Sequence, residues 1–469
     1  MILEINNTME IAIKLKFNLE RIPSLCPFMS FITFFTLILK IIFKKFQYRS
    51  NIHKNFYKFA DSKKESLMKI FLNDEGKSTL IKKAILRLCI QNDTNSIADF
   101  SKELSTSVPT ITKLLSEMIA EGLLQDEGKI DTKGGRRPST FGLNPAAGYF
   151  VGVDVSRQHF HIAVCDFKGN LVSFIQDIPF VLEANADSFK KMCAKIKDEV
   201  AAKGIDWSII LGVGVSLSGR VNPEKGYSLT YFVSDDIPMK DLFEQQLGVP
   251  VTIENDSRAM AYGEYMSMGL SHDGKQHEVD MIFINLSWGL GMGMILNGSL
   301  YYGKSGFSGE IGHFPSLDNN IICRCGKVGC LETGASGWAL HRIIIEKLKQ
   351  GRKSSLADIY EANGDLTLDD ILKAVEEEDV LAIEGIEQVG ATLGQGIAGV
   401  INIFNPSLVI IGGRLIVGKD YLMLPIKTAV NRFSLSRVSS DTKFQLSKLG
   451  LKAAGIGDCL LSRAKLLGL

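Results

Sequence analysis

The first sustained pattern of apolar positions in the chain is helical. Leu80, Ile81, Ala84, Ile85, Leu88 and Cys89 recur at steps of three and four, the spacing of one buried helix face. Asn95-Ser96 supplies a start signal for a second helix, with Ile97, Phe100 and Leu104 on one side. A polar turn, Ser105-Thr106-Ser107, separates it from a third helix whose apolar positions are Val108, Ile111, Leu115 and Met118. Pro109 falls in the first turn, where its missing N–H removes no helical bond. Residues 123–126 and Ser139–Leu143 then read as short strands around Gly134-Gly135-Arg136-Arg137-Pro138. Three short helices followed directly by a basic hairpin predict a winged helix-turn-helix over residues 65–143. Its third helix would enter the major groove with Ser107, Thr110, Thr112 and Lys113. Lys133, Arg136 and Arg137 in the wing would meet phosphates or a narrow minor groove. The implied partner is operator DNA.

From Gly148 the period changes. Tyr149–Val155 is an apolar run ending near Asp154, and residues 160–165 and 171–175 follow as strands around the turn Lys168-Gly169-Asn170. A helix near residues 187–203 and a buried strand over 209–216 come next. The alternation returns later, with strands at Met281–Leu286, 292–296 and 408–411 and a long helix near 380–403. Two such halves predict an α/β domain over residues 144–469, with one lobe from about 144–265 plus 453–469 and the other from about 266–452. A cleft between lobes is a natural ligand site.

Composition narrows the function. A net charge of +1 on 469 residues excludes a general polycation, so nucleic-acid contact must come from a local patch. Of the 8 Cys, three fall within eight residues (Cys323, Cys325, Cys330), which points to a metal site in a reducing, cytoplasmic setting rather than a disulfide framework. The first 64 residues stand apart. Residues 22–43 are apolar except for Lys40 and are flanked by Arg21, Lys44, Lys45 and Arg49, long enough to span a bilayer. They read as a membrane anchor or uncleaved signal, as a start codon placed too early with Met68 the natural start, or as an ordinary buried or disordered tail. Pro23 and Pro27 interrupt the first turns of the segment. Only the first of these readings would make a membrane a partner.

His313, Cys323, Cys325 and Cys330 give His-x9-Cys-x-Cys-x4-Cys, one imidazole and three thiolates, the donor set of one closed structural zinc. Gly326 and Gly329 allow the tight turns that converge these ligands. His313 could bind metal through one ring nitrogen and present the other to a ligand.

The stretch from Ser308-Gly309-Glu310-Ile311-Gly312-His313 through Cys323 to Cys330-Leu331-Glu332-Thr333 resembles the signature of the ROK family, which holds repressors, uncharacterised reading frames and sugar kinases. The order winged helix, Gly-Arg-Arg-Pro, Leu143-Asn144-Pro145 and two lobes is similar to the family's xylose and N-acetylglucosamine repressors. The resemblance covers about residues 75–469. It implies an actin-like (sugar kinase/ribonuclease H-like) two-lobed α/β fold behind the winged helix-turn-helix. It also implies sugar contacts at Asn255, Asp256, Glu310, His313 and Glu332, with Gly219 and Arg220 as a further contact. Read alone, Asp256 would simply cap a helix over residues 257–266.

In the family's kinases Asp256 would be the catalytic base, which keeps an ATP-dependent hexose or N-acylhexosamine kinase as the alternative function. The phosphate turns argue against it. Those kinases carry Asp-x-Gly-Gly-Thr at the first hairpin, where this chain has Asp154-Val155-Ser156-Arg157-Gln158. They carry a threonine at the second turn, where this chain has Trp288. The expectation is a sugar sensor that does not use ATP, working as a homodimer or higher homo-oligomer.

Overall fold

The computed structural model describes residues 76–468, apart from 130–137, 182, 184, 231–236 and 270–278. These belong to one compact unit, Ser66–Leu469. No described helix is long and apolar enough to cross a membrane; residues 22–43 lie outside the described residues.

The unit begins with α1 (Lys77–Asn92), β1 (Thr94–Ser96), α2 (Ile97–Glu103), α3 (Val108–Ala120), β2 (Leu124–Lys129) and β3 (Ser139–Leu143). Ser96 starts α2 through a capping box: its Oγ accepts the Asp99 N–H at 3.2 Å, and the Asp99 carboxylate accepts the Ser96 N–H at 2.9 Å. Ser107 caps α3. The sequence pattern misplaces two inward residues. Val108 is 51% exposed and Leu80 57%, while Leu114 is buried, because α3 turns Ile111, Leu114, Leu115 and Met118 inward together. Lys82 of α1 is buried yet paired, with Glu117 at 3.1 Å and Glu121 at 3.0 Å, so it ties α1 to α3. The three-stranded sheet has the order β1-β3-β2. Strand β1, foreseen only as a helix start, exists through its antiparallel pairing with β3.

The rest of the chain repeats one topology. The first sheet comprises β4 (Tyr149–Val155), β5 (His159–Asp166), β6 (Leu171–Pro179), β7 (Ile210–Leu217) and β10 (Val251–Asn255), in the order β10-β7-β4-β5-β6. The second comprises β11 (Met281–Leu286), β12 (Leu290–Leu296), β13 (Ser299–Leu300), β14 (Leu408–Gly412) and β15 (Lys443–Leu446), in the order β13-β12-β11-β14-β15. In each, three antiparallel strands are extended by two parallel ones. The short strands β8 (Val221–Asn222) and β9 (Tyr227–Ser228) form a separate ribbon. Helices α4 (Ala186–Ala202) and α5 (Met239–Leu247) pack against the first sheet. Helices α7 (Gly337–Lys349), α8 (Leu356–Asn363), α9 (Leu368–Glu376), α10 (Val380–Phe404) and α11 (Lys419–Phe433) share the core of the second.

Two helices join these parts: α6 (Asp256–Ser267), which leaves β10, and the terminal α13 (Ala453–Leu467), which follows the short α12 (Ser436–Ser440). Helix α13 lies flush on the first sheet because Gly152 and Gly214 leave no side chain beneath it. A Cβ at Gly152 would lie 1.9 Å from Gly455 O, and one at Gly214 2.2 Å from Asp458 O. Leu466 and Leu467 of α13 share one core with Ile85, Leu86 and Met118 of the helical module.

Candidate functional site

The site is built where β10 hands over to α6. Asn255 caps the helix by accepting the Arg258 N–H on its Oδ1 at 3.2 Å. The capping role considered for Asp256 therefore falls to its neighbour, because the helix starts one residue earlier than the pattern suggests. Asp256 Oδ1 accepts from Ser257 N (2.7 Å), Asn255 Nδ2 (2.9 Å) and Ser257 Oγ (3.2 Å), and Oδ2 accepts from Ser218 Oγ at 3.0 Å. Burial pushes its carboxyl above the usual carboxylate range, opposed by these hydrogen bonds. Asn255 Nδ2 also donates to Gly219 O at 3.0 Å, which brings the Gly219-Arg220 segment to the same place.

Beneath it is a pair that sequence reasoning missed. Arg258 Nε lies 2.6 Å from Glu254 Oε1, both buried. The guanidinium also donates to Gly306 O at 2.8 Å and Val221 O at 2.9 Å, with the Tyr302 ring 5.6 Å away. The only sequence signal was a Glu–Arg pair four apart across a strand-to-helix junction. The clamp joins the β8 segment to the loop that leads into Glu310.

Glu310 and His313 flank a short helical turn, with Nε2 of His313 3.8 Å from Glu310 Oε2. Burial raises the Glu310 carboxyl, and His313, Arg220 and Arg258 offset part of that rise. The Asp256 charge raises it further. Glu332 is half-buried, with Oε2 accepting the Leu290 N–H at 3.1 Å and Oε1 3.8 Å from Cys323 Sγ. It thereby ties the cysteine loop to the β11–β12 hairpin.

The other ring nitrogen of His313, Nδ1, lies 3.6 Å from Cys323 Sγ, and Cys325 Sγ lies 3.6 Å from Cys330 Sγ. The ligand atoms of all four residues fall within 4.8 Å of one another. A tetrahedron with metal–sulfur bonds of about 2.3 Å has edges of about 3.8 Å, so the quartet fits a metal ion of zinc's size and preference.

Two turns differ from the kinase pattern. Between β4 and β5, Ser156 donates both its N–H (3.0 Å) and its Oγ (2.8 Å) to His159 O, so the hairpin closes on itself. Between β11 and β12, Trp288 is 37% exposed, with its ring 5.7 Å from that of His341. Behind the first turn, Ser216 Oγ bridges Asp154 Oδ1 (3.3 Å) and the buried Asp458 Oδ2 (2.7 Å), a carboxyl pair the sequence did not suggest.

The residues expected to read DNA lie in the helical module, apart from this site. Thr110 Oγ1 lies 2.8 Å from Ser107 Oγ, Thr112 donates to Val108 O at 2.9 Å, and Lys113 is exposed beside Glu117 at 4.0 Å. Lys133, Arg136 and Arg137 lie outside the described residues.

The chain is similar to the xylose repressor of Caldicellulosiruptor bescii, 29% identical over 395 residues that cover 81% of this chain and 96% of the repressor. It is also similar to the glucokinase of Halalkalibacterium halodurans, 30% identical over 312 residues, 66% of this chain and 93% of the kinase. The crystal structure of a ROK family transcriptional regulator, a homologue of the E. coli MLC protein, superposes with a TM-score of 0.66 at 26% identity, over 86% of this chain and 96% of that one. Residues 150–469 alone cannot supply 81% of the chain, so the repressor match reaches into the helical module. Residues 150–465 match the ROK family over well more than half the sequence, and the chain belongs to that family.

Proposed function

We propose that this chain is a sugar-responsive DNA-binding repressor of carbohydrate genes, working in the cytoplasm. The observation that carries the reading is the reach of the repressor match into the residues ahead of the ROK region, where α1–α3 and the β1-β3-β2 sheet stand. In this reading residues 65–143 are a winged helix-turn-helix. Helix α3 is the recognition helix, and Lys133, Arg136 and Arg137 neutralise phosphates. Residues 144–469 are the effector domain, with lobes at about 144–265 plus 453–469 and about 266–452.

A sugar would sit among Asn255, Asp256, Glu310, His313 and Glu332, with Gly219-Arg220 at its edge. Carboxylates and an amide can each take two vicinal hydroxyls, which suits a polyol ring. One zinc held by His313 Nδ1, Cys323, Cys325 and Cys330 would fix the loop that carries Glu332 and leave Nε2 of His313 facing the sugar. Its contribution is structural, since four protein donors leave no open position.

Against a kinase stand the two turns. The Ser156 N–H that a phosphate would need is spent on His159 O, and an indole occupies the second turn. The sugar would instead shift the lobe equilibrium and thereby the DNA readers.

The test is selection of a DNA site from a random pool by the full chain, followed by gel shifts with sugars. We expect a salt-dependent complex that a sugar alters, and Arg136→Ala with Arg137→Ala should lower the log–log salt slope by up to about 2. Failure to select any DNA, together with ATP-dependent phosphorylation of a sugar, would overturn the reading.

A further inference from the structure

Helix α3 begins at Val108, directly behind its cap Ser107. Its core face is Ile111, Leu114, Leu115 and Met118, and Val108 stands outside that core, half exposed. Pro109 beside it is exposed as well. One apolar side chain on a surface needs no explanation. Two in succession do, when they sit in the turn that a helix-turn-helix brings to the edges of the bases.

The polar groups around that turn are largely engaged within the chain. Ser107 Oγ and Thr110 Oγ1 lie 2.8 Å apart, which uses one of their two protons, and Ser107 Oγ accepts the Thr110 N–H at 3.4 Å. Thr112 Oγ1 donates to Val108 O at 2.9 Å, and Ser116 Oγ donates to Thr112 O at 2.9 Å. Pro109 brings no N–H. The start of α3 therefore offers a carbon surface, with the exposed ammonium of Lys113 further along the helix.

In the major groove the apolar group on a base edge is the C5-methyl of thymine; the other groups there are donors and acceptors. A valine set against a donor or acceptor strips its water and returns no hydrogen bond, which costs affinity. Set against a methyl, it buries carbon on carbon. We propose that Val108, with Pro109 beside it, reads the methyl group of a thymine, so that the DNA site carries T at the position met by the first turn of α3. This rests on the proposed DNA-binding function and adds to it which base chemistry is read and by which residue.

Deoxyuridine differs from thymidine by that methyl alone, which makes the test. The full chain is titrated by gel shift against a DNA site it selects, with deoxyuridine replacing thymidine at one position at a time. We expect one or two neighbouring positions at which losing the methyl weakens wild-type binding about fourfold, the effect of one buried carbon. Val108→Ala should bind the unmodified site weaker by about the same factor and be indifferent to deoxyuridine at those positions, with an unchanged melting temperature. Val108→Thr, which keeps the shape of the side chain, serves if the alanine form melts low. A C·G pair placed there should bind poorly, and 5-methylation of that cytosine should recover part of the loss. A flat deoxyuridine scan in wild type, or a methyl dependence that both variants keep in full, would overturn the inference while leaving DNA binding in place. Selection of no DNA at all would instead count against the proposed function, and this inference with it.

Discussion

Lys168, in the turn after β5, places its ammonium 2.7 Å from the Asp93 carboxylate, in the turn that follows α1. The pair joins the first lobe to the helical module. Arg463 of α13 holds the same turn by donating to Phe167 O at 3.2 Å and to Lys168 O. Helix α13 in turn crosses α6 with no gap, since a Cβ at Gly457 would lie 1.9 Å from Ala259 O. A movement of α6, which begins at Asp256, therefore has a rigid route to the turn that grips Asp93.

This route predicts a separation of stability from response. A half-exposed ion pair contributes about 0–1 kcal/mol, so Lys168→Ala should barely change the melting temperature. The ratio of DNA affinities with and without the sugar should shrink, because the module loses one of its ties to the lobe. An unchanged ratio in paired gel-shift titrations would mean that the response travels another way.

The quartet of His313, Cys323, Cys325 and Cys330 predicts one zinc per chain by metal analysis. Cys325→Ser should remove most of the bound metal and lower the melting temperature, since the loop 323–330 is otherwise held by short-range backbone contacts such as the bridges of Pro315 with Cys330 and of Ile322 with Val328 and the Ser316 and Leu317 N–H groups on Gly329 O. Sugar response should fall with the metal, because Glu332 is fixed to the hairpin through Leu290 and lies against Cys323. Purified native protein free of zinc, with its melting temperature insensitive to chelators, would count against the assignment.

Much of this was legible in the sequence because the patterns are local. Tyr149–Val155 and Met281–Leu286 read as strands by their apolar runs alone, and the long helix near 380–403 appears as Val380–Phe404. The clustering of His313, Cys323, Cys325 and Cys330 was legible because they sit within eighteen residues and their spacing encodes the turns. Strand β1 was not, since three residues carry no period and only pairing with β3 makes them a strand. Nor was the Asp154–Ser216–Asp458 bridge, whose members lie up to 304 positions apart in the numbering and meet only because α13 returns to the first sheet. Lys168 read as an ordinary turn residue for the same reason, since its partner Asp93 lies far away in the sequence.

That bridge predicts a pH dependence. Burial, with the nearby Asp256 charge, pushes the Asp154 carboxyl up to about 7, and burial raises Asp458 well above its ordinary range. A carboxyl with a raised folded pKa binds more protons when folded. Its stabilising effect is complete below the unfolded value of about 4 and is lost as pH climbs through the folded value. Stability from this pair should therefore fall between about pH 4 and 7, and further above that for Asp458. Among the described residues the Asp458 Oδ1 has no hydrogen-bond partner, so the charged form is costly there. Asp458→Asn should melt higher than wild type at pH 8, with the gap closing at pH 5. A gap that is absent at pH 8 or widens toward pH 5 would contradict the shared buried charge.

Asp256 separates a sensor from an enzyme. In a kinase its carboxylate would take a proton only as the sugar hydroxyl attacks, so Asp256→Asn would abolish turnover while changing ground-state binding much less. Here its oxygens are already fixed by Ser218, Asn255 and Ser257, which hold the carboxylate in place. In a sensor the aspartate acts only through those added hydrogen bonds. Losing one to a charged group costs about 1.5–3 kcal/mol, or about 10- to 150-fold in affinity. Asp256→Asn should therefore move the sugar concentration that alters DNA binding upward by about that factor. Wild-type protein should form no sugar phosphate from ATP, because the Ser156 N–H is spent on His159 O and Trp288 occupies the second turn. The deciding experiment pairs a sugar titration of the DNA complex with a coupled ADP-release assay, on wild type and Asp256→Asn. Robust wild-type turnover that the mutant loses would make the chain a kinase in spite of both turns; a shifted titration with no turnover in either would leave it a sensor.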